Sequence, residues 1–375
     1  MRNLLNELLI FKKTDESRAL FEAAEVIGAE DESRRRRAAN RFVRTVLEMT
    51  ESCGFRGNLW KSCVAYYIAF NENAFSLGEE RKRAEVASSG EKDFFFKHDC
   101  GILRKLFCFE FGELSREAGA EIIEKIMDYY PKKTAEEENP AEELKARLEN
   151  AADDEAFYEE IRGFYNENGV GAFGMHKAFT AAEKDCRLQL MPLQKLGSER
   201  LEDLIGYEVQ KQMLTANTEA FLQGKPANNV LLYGDGGTGK STSIRALLNE
   251  YGKDGLRIIQ VYRHQVQWLP EIITKIRDRS YRFLIYMDDL SFEDFETEYK
   301  YLKAVIEGGL EPRPENVLIY ATSNRRHFIK ETWNDRKDEE HTGEIFRSDS
   351  LEEKRSLADR FGMQIYYGKP TKEEY

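Results

Sequence analysis

The chain has 375 residues, of which 41% are hydrophobic and 33% are charged, and its formal net charge at pH 7 is −12. This composition is typical of a soluble globular protein, and the length is enough for two or three domains. No apolar run reaches the ~18 residues that a membrane-spanning helix needs, and residues 1–13 lack the pattern of a signal peptide, so we predict no membrane association.

The cysteines and the charge narrow the class of protein further. The chain has five cysteines, Cys53, Cys63, Cys100, Cys108 and Cys186. Their odd number and the lack of C-x-x-C spacing predict neither a disulfide framework nor a zinc site. Reduced thiols indicate a cytoplasmic protein. Both halves of the chain, divided at residue 200, are net negative. This disfavours nucleic acid as a partner, because sequence-independent binding usually needs a cationic surface. The one basic run, 34–37, is interpreted as a solvated helix face.

Residues 1–190 are predicted to form a mostly helical domain. Apolar residues recur there at three- and four-residue spacing in the segments 16–27, 34–50, 59–85, 114–130 and 142–168. A polar stretch at 132–140 predicts a loop. Residues 189–196 are interpreted as a short strand or an extended linker, and 191–200 as the linker to the next domain. The domain carries no motif for chemistry, and we expect it to bind an unidentified protein partner.

From residue 201 to 375 the pattern changes to short apolar strands that alternate with helices. The predicted strands are 230–233, 257–262, 283–287 and 317–321, and the predicted helices are 241–251, 269–279 and 299–307. This alternation predicts an α/β fold with a parallel sheet covered by helices on both faces. Ligands of such sheets bind at the carboxyl ends of the strands.

A glycine-rich loop lies between the first of these strands and its helix. It fits the pattern G-x-x-x-x-G-K-[ST] with Gly234, Asp235, Gly236, Gly237, Thr238, Gly239, Lys240 and Ser241, followed by Thr242. Glycines let backbone N–H groups turn inward on a polyphosphate, and the helix presents its positive N-terminal end. We expect Lys240 to reach the β- and γ-phosphates of ATP and Ser241 to ligate Mg²⁺.

Two carboxylates directly follow the strand 283–287. Asp288 suits the role of a Mg²⁺ ligand, and Asp289 is predicted to orient or deprotonate the attacking water. Most related ATPases have a glutamate at the second position, and aspartate is shorter by one methylene. Glu293 is the alternative for this role, although we favour its interpretation as part of a solvated acidic turn.

Two further polar positions are candidates for the site. Asn324 follows the strand 317–321 and is predicted to position the lytic water or to sense the γ-phosphate. Arg360 ends a later helix, before the strand-like residues 363–367, and is predicted to act on the γ-phosphate held by a neighbouring subunit. The alternative for Arg360 is a surface arginine favoured by the helix dipole. Three basic residues follow Asn324, namely Arg325, Arg326 and His327. They are interpreted as loop charges, as a contact between subunits or as part of the site, and the sequence does not separate these alternatives.

These motifs, in this order, resemble an AAA+ ATPase module, a P-loop NTPase. Under the resemblance, the loop corresponds to Walker A, Asp288 with Asp289 to Walker B, Asn324 to sensor 1 and Arg360 to the arginine finger. The segment 201–207 resembles the one that wraps adenine, so Leu204, Ile205 and Gly206 are expected to line a base pocket. The motifs at 228–235, 288–293 and 321–327 are most similar to the bacterial family of unknown function DUF815.

The resemblance implies ATP or ADP as ligand, Mg²⁺ as cofactor and a homo-oligomer formed through the ATPase face. Residues 370–375 are similar to the start of the helical lid that closes such modules, so we expect the lid to be missing, nucleotide affinity to be weak and turnover to be poor. The predicted function is an ATPase that remodels or loads an unknown macromolecule. The alternatives are an ATP-sensing scaffold or switch with little turnover, a loader that acts on DNA, and a kinase with a phosphate loop.

Overall fold

The computed structural model divides the chain into two compact units, Met1–Met175 and His176–Tyr375. The structure describes residues 1–82, 92–111, 123, 125–126, 129, 139–184, 187–193, 196–290, 301–302, 305–306, 314–324 and 360–369. No helix within these ranges is both long enough and apolar enough to cross a lipid bilayer.

The first unit is helical, as predicted. Its helices are α1 Arg2–Asn6, α2 Arg18–Gly28, α3 Glu32–Cys53, α4 Leu59–Phe70, α5 Ser76–Lys82, α6 Lys92–Phe107, α7 Pro140–Glu149, α8 Asp154–Asn168 and α9 Gly171–Met175. Side-chain oxygens cap the N-termini of α3, α4, α7 and α8 by accepting backbone N–H groups; the capping residues are Asp31, Asn58, Asn139 and Asp153.

Two predicted helices of this unit are each interrupted by a capping residue. The segment 59–85 breaks before α5, where the Asn73 side chain accepts the N–H groups of Phe75 and Ser76. The segment 142–168 breaks at the Asp153 cap. Such caps compete with continuation of the helix because they satisfy N–H groups locally. Helix α6 was not predicted, and most of the predicted helix 114–130 lies outside the described residues.

The core of this unit is rich in aromatic residues and contains buried carboxylates, of which Asp99 is the most deeply buried. Trp60 is 1% exposed and donates its indole N–H to the carbonyl of Leu106 at 2.6 Å. Asp99 is fully buried and accepts backbone N–H groups from Leu9, Ile10 and Phe11. Because these hydrogen bonds satisfy the charge, Asp99 ties the N-terminal segment to α6.

The second unit is built on a seven-stranded sheet. Its strands are β1 Ala178–Lys184, β2 Arg187–Pro192, β3 Val230–Gly234, β4 Leu256–Gln260, β5 Arg282–Met287, β6 Val317–Ser323 and β7 Met363–Tyr367, in the spatial order β2-β1-β4-β5-β6-β3-β7. Among the strands that the structure describes, β1 and β2 alone pair antiparallel. The helices are α10 Glu208–Leu222, α11 Lys240–Tyr251 and α12 Leu269–Ile276. The described residues of the predicted helix 299–307 are helical at 301–302 and 305–306.

The boundary between the units lies earlier than the predicted 190. The hairpin of β1 and β2 belongs to the sheet unit, because β1 pairs in parallel with β4 from Ala178↔Ile258 to Thr180↔Gln260. Residues 176–190 therefore leave the helical domain, and part of the predicted linker 191–200 is strand. Three of the seven residues of β1 are alanine, and so short an apolar side chain gives little of the alternation by which a strand is recognised.

The parallel register brings the predicted motifs to one edge of the sheet. Met287 of β5 lies beside Ala321 of β6, and Tyr233 of β3 lies beside Ser323. The phosphate loop, the acidic pair and Asn324 all follow these strand ends directly. Helix α11 packs on one face of the sheet through buried apolar residues such as Leu247, which holds its first turn at this edge.

Candidate functional site

The phosphate loop begins at a glycine that no other residue can replace without displacing the backbone. Gly234 has φ +136°, and a Cβ built there would lie 2.1 Å from the carbonyl oxygen of Tyr367 in β7. The next residue, Asp235, donates its N–H to that same oxygen at 3.0 Å, and its carboxylate accepts the N–H of Lys369 at 3.2 Å. The close approach of β7 thus sets where the loop starts.

The loop ends against the segment predicted to hold the base. Gly239 has φ +87°, and a Cβ there would lie 2.8 Å from Cδ2 of Leu204. The carbonyl of Leu204 accepts a hydrogen bond from Nζ of Lys211 at 2.8 Å, while the side chain of Ile205 is 63% exposed. The structure therefore brings Leu204, Ile205 and Gly206 next to the phosphate loop. Their role as a base pocket stays a prediction.

The ammonium group of Lys240 is buried within the loop. The residue is 4% exposed, and Nζ donates to the carbonyl oxygens of Gly234 at 3.3 Å and Asp235 at 2.5 Å. Burial lowers the pKa of Lys240, and the carboxylates of Asp235, Asp289 and Asp288 partly oppose that effect. These carbonyl oxygens are neutral partners that a ligand could replace, and the negatively charged oxygens of a phosphate would satisfy the charge of Lys240 better.

Ser241 and Asp288 bring two side-chain oxygens together beside the loop. Ser241 Oγ donates to Asp288 Oδ1 at 2.7 Å, and Thr322 Oγ1 donates to the same oxygen at 2.6 Å. Burial alone would raise the pKa of Asp288, but hydrogen bonds, chiefly those from Thr322 and Ser241, outweigh it and lower the pKa. An ionised carboxylate next to a hydroxyl is a donor set that fits Mg²⁺, which prefers oxygen ligands.

Asp289 occupies a strained position that the neighbouring strand holds in place. Its φ of +48° lies in the left-handed region, which is unfavourable for residues other than glycine. Its N–H donates to Thr322 Oγ1 at 2.9 Å, and the N–H of Leu290 donates to the carbonyl of Thr322 at 2.7 Å. Asn324 Nδ2 donates to Asp289 Oδ1 at 2.9 Å. Strain that is held by its surroundings often marks a functional site.

Thr322 is the common partner of both carboxylate residues, so its removal should destabilise the unit. Thr322→Val keeps the side-chain shape and removes the hydroxyl that binds Asp288 and the N–H of Asp289. We expect a loss of about 1–3 kcal/mol in the free energy of unfolding, measured by urea denaturation. The part due to the lowered pKa of Asp288 is present above about pH 4 and is lost as the pH falls through that lowered pKa. The destabilisation should therefore be smaller in acid.

Thr274→Val is the matched control for this substitution. Thr274 lies on α12, exposed, and its hydroxyl donates only to the carbonyl of Pro270. Two results would contradict the role of Thr322 at the acidic pair. One is an equal loss of unfolding free energy in Thr274→Val and Thr322→Val. The other is a loss in Thr322→Val that does not become smaller in acid.

Arg360 is not brought together with the other candidate residues. β7 runs parallel to β3, with Met363 beside Val230 and Tyr367 beside Gly234. The strand advances about 13 Å between those two residues, and Arg360 precedes it. The arginine thus lies at the sheet edge opposite the phosphate loop of its own chain. Four residues named from the sequence lie outside the described residues: Glu293, Arg325, Arg326 and His327.

Two residues at the site were not identified from the sequence. Thr322 and Tyr286 each lie two positions before an identified polar residue, Asn324 and Asp288. Residues two apart on a strand share one face of the sheet. A polar side chain at that spacing before a strand-end candidate was the available signal. Tyr286 was interpreted only as part of an apolar strand, and Thr322, between the predicted strand 317–321 and Asn324, was given no role.

The chain matches one protein family and is similar to several solved structures. Residues 175–375 match the family described as "Protein of unknown function (DUF815)", and no curated protein matches the chain. Among solved structures, the RuvB Holliday junction branch migration motor of Thermotoga maritima is 19% identical, covers 47% of this chain and 49% of its own, and has a TM-score of 0.32. PCH-2 of C. elegans is 16% identical, covers 46% and 45%, and has a TM-score of 0.30.

The chain thus spans about half the length of these solved structures. The predicted fold class, a P-loop NTPase sheet of the AAA+ type after a helical domain, is confirmed by the strand arrangement and the loop at the end of β3. The resemblance to this family, inferred from the motifs, is likewise confirmed.

Proposed function

Because the chain belongs to the family of proteins of unknown function DUF815, we propose its function from its own site: it binds ATP with Mg²⁺ and hydrolyses the γ-phosphate. The observation that carries this proposal is the hydrogen bond between Ser241 and Asp288, at 2.7 Å. It joins the first turn of the loop's helix to the end of β5, so that two oxygen ligands lie beside the buried Lys240.

In this proposal the loop residues bind the polyphosphate. Lys240 exchanges the carbonyls of Gly234 and Asp235 for β- and γ-phosphate oxygens, and the N-terminal end of α11, where Thr242 also lies, favours their negative charge. Ser241 and Asp288 are the residues that would hold Mg²⁺. When bound, this ion neutralises charge on the β- and γ-phosphate oxygens.

Asp289 is proposed to act on the attacking water. The water oxygen bonds to the γ-phosphorus, the bond from that phosphorus to the bridging oxygen breaks, and ADP leaves with the electron pair. Asp289 orients the water and accepts its proton. Asn324 holds the carboxylate through Oδ1 and leaves Oδ2 for this contact.

Arg360 is proposed to complete the site of a second copy of the chain. Its place at the opposite sheet edge excludes its own phosphate loop, so an arginine that stabilises the transferring phosphoryl group must come from a neighbour. We therefore propose a homo-oligomer, ring-like or dependent on nucleotide, in the cytoplasm. Its hydrolysis would drive remodelling or loading of a macromolecule held through the helical unit.

A second candidate function is an ATP-dependent switch with little turnover. The observation that favours it is the hydrogen bond from Asn324 to Asp289, which occupies one oxygen of the carboxylate predicted to act on water. Turnover measured with the full chain separates the two candidates, since an ATPase gives sustained phosphate release and a switch gives binding without it.

Lys240→Ala tests the binding proposal directly. Loss of the only loop cation removes charge-assisted hydrogen bonds to the phosphates, so nucleotide affinity should fall about 10- to 100-fold, measured by calorimetric titration with ADP. Lys275→Ala is the matched control, because Lys275 is exposed on α12 and contacts Glu271. Wild-type affinity in Lys240→Ala would contradict the phosphate-binding role of the loop.

A further inference from the structure

Tyr286 brings an unusual polar group into the core below the site. It lies in β5, is 5% exposed, and packs among the apolar residues between the sheet and α11. Asp288 is two residues further along the same strand, so the two side chains leave the same face of the sheet. The phenol ring therefore points toward the helix whose first turn carries Ser241.

The hydroxyl of Tyr286 is buried beside the proposed metal ligands without a hydrogen bond of ordinary geometry. Burial raises the pKa of Tyr286; the nearby Ser241 hydroxyl and the charge of Arg245 work against that rise, whereas Asp288 adds to it. The phenol oxygen is thus close to the Ser241–Asp288 pair without being hydrogen-bonded to it. A buried hydroxyl without a well-placed partner is unfavourable unless a water or a ligand supplies one.

The neighbouring strand offers a direct comparison. Tyr320 of β6 lies beside Tyr286 in the parallel register and is also buried. Its hydroxyl oxygen accepts a hydrogen bond from Asn217 Nδ2 at 2.9 Å and lies 3.0 Å from Thr218 Oγ1. The hydroxyl of Tyr320 thus has hydrogen-bond partners within the protein, whereas the hydroxyl of Tyr286 has none among the described residues and lies toward the site.

We propose that Tyr286 is a positioning residue for the metal–nucleotide complex: its hydroxyl hydrogen-bonds a water molecule in the hydration shell of the Mg²⁺ ion held by Ser241 and Asp288. Mg²⁺ keeps several of its waters in such sites, and groups that contact the waters or ligands around a metal tune its affinity. The inference rests on the proposed function and adds a residue that acts only when the metal is present.

Tyr286→Phe tests this inference, since it removes one oxygen and keeps the buried ring. Nucleotide affinity is measured by calorimetric titration with a non-hydrolysable ATP analogue, once with EDTA and once with Mg²⁺. We expect wild-type affinity in EDTA, and an increase in affinity on adding Mg²⁺ that is about three- to tenfold smaller than that of the wild type. The thermal unfolding temperature without ligands should stay the same or rise, because a poorly partnered buried hydroxyl is lost.

Tyr320→Phe is the matched control. It removes a satisfied hydroxyl at the same depth, so it should lower the unfolding temperature without ligands and keep the wild-type response to Mg²⁺. A wild-type Mg²⁺ response in Tyr286→Phe, or an equal loss of affinity already in EDTA, would overturn the inference and leave the proposed function intact. A wild-type protein whose nucleotide affinity does not depend on Mg²⁺ would overturn the proposed Mg²⁺ site itself.

Discussion

Arg360→Ala should lower the ATP hydrolysis rate of the assembled protein about 10³- to 10⁵-fold and leave nucleotide affinity unchanged. The reason is geometric: Arg360 precedes β7 at the sheet edge opposite its own phosphate loop, so only a neighbouring chain can present it to the γ-phosphate. Steady-state phosphate release measures the rate, and calorimetric titration measures the affinity.

Mixing two inactive variants gives a sharper form of this experiment. Lys240→Ala chains keep Arg360, and Arg360→Ala chains keep an intact phosphate loop. If the site forms between chains, the mixture should recover hydrolysis that neither variant shows alone. Arg200→Ala is the matched control, because the Arg200 side chain is 66% exposed and pairs only with nearby Glu202. Wild-type turnover in assembled Arg360→Ala would refute the proposed role of this arginine.

Asp289→Asn should lower hydrolysis about 10²- to 10⁴-fold while ATP affinity stays at the wild-type level. Asparagine cannot accept the proton of the attacking water, but its carbonyl oxygen can still accept the hydrogen bond from Asn324. It also tolerates the left-handed backbone at this position better than most residues. The substitution therefore changes the chemistry of the side chain and preserves the turn after β5.

Asp254→Asn serves as the control for Asp289→Asn, because Asp254 is exposed in the turn after α11, away from the site. Asn324→Ala separates the two candidate functions. If Asn324 positions Asp289 for the water, its loss should lower turnover, whereas if it sequesters the carboxylate, its loss should raise turnover. Hydrolysis at the wild-type rate in Asp289→Asn would exclude Asp289 as the residue that acts on the water.

The phosphate loop is the part of this site that the sequence predicts most directly. Its function depends on eight consecutive residues, so the glycines, Lys240 and Ser241 are recognisable without knowledge of any distant contact. The acidic pair and Asn324 were also predictable, because each follows an apolar strand and the carboxyl ends of parallel strands meet at one edge. The structure places all of these together.

Other features depended on contacts between residues far apart in the chain. Thr322 binds Asp288 across 34 positions of sequence, and the strained backbone of Asp289 exists because β6 accepts its N–H. The hairpin of β1 and β2 joined the sheet through its pairing with β4, although its alanine-rich first strand has little apolar alternation. Periodicity reports which face of an element is buried, but it does not report which strand lies beside it.

The sequence by itself determined the alternation of strand and helix, the helical first domain, the glycine-rich loop and the polar residues at the strand ends. These follow from local pattern and from the general geometry of parallel sheets. Only the tertiary structure decided the unit boundary at Met175, the link of both carboxylate residues to Thr322, and the difference between Tyr286 and Tyr320. Both tyrosines lie in apolar runs of the same kind, and their hydroxyls differ because α10 supplies partners to Tyr320, whereas Tyr286 faces the site.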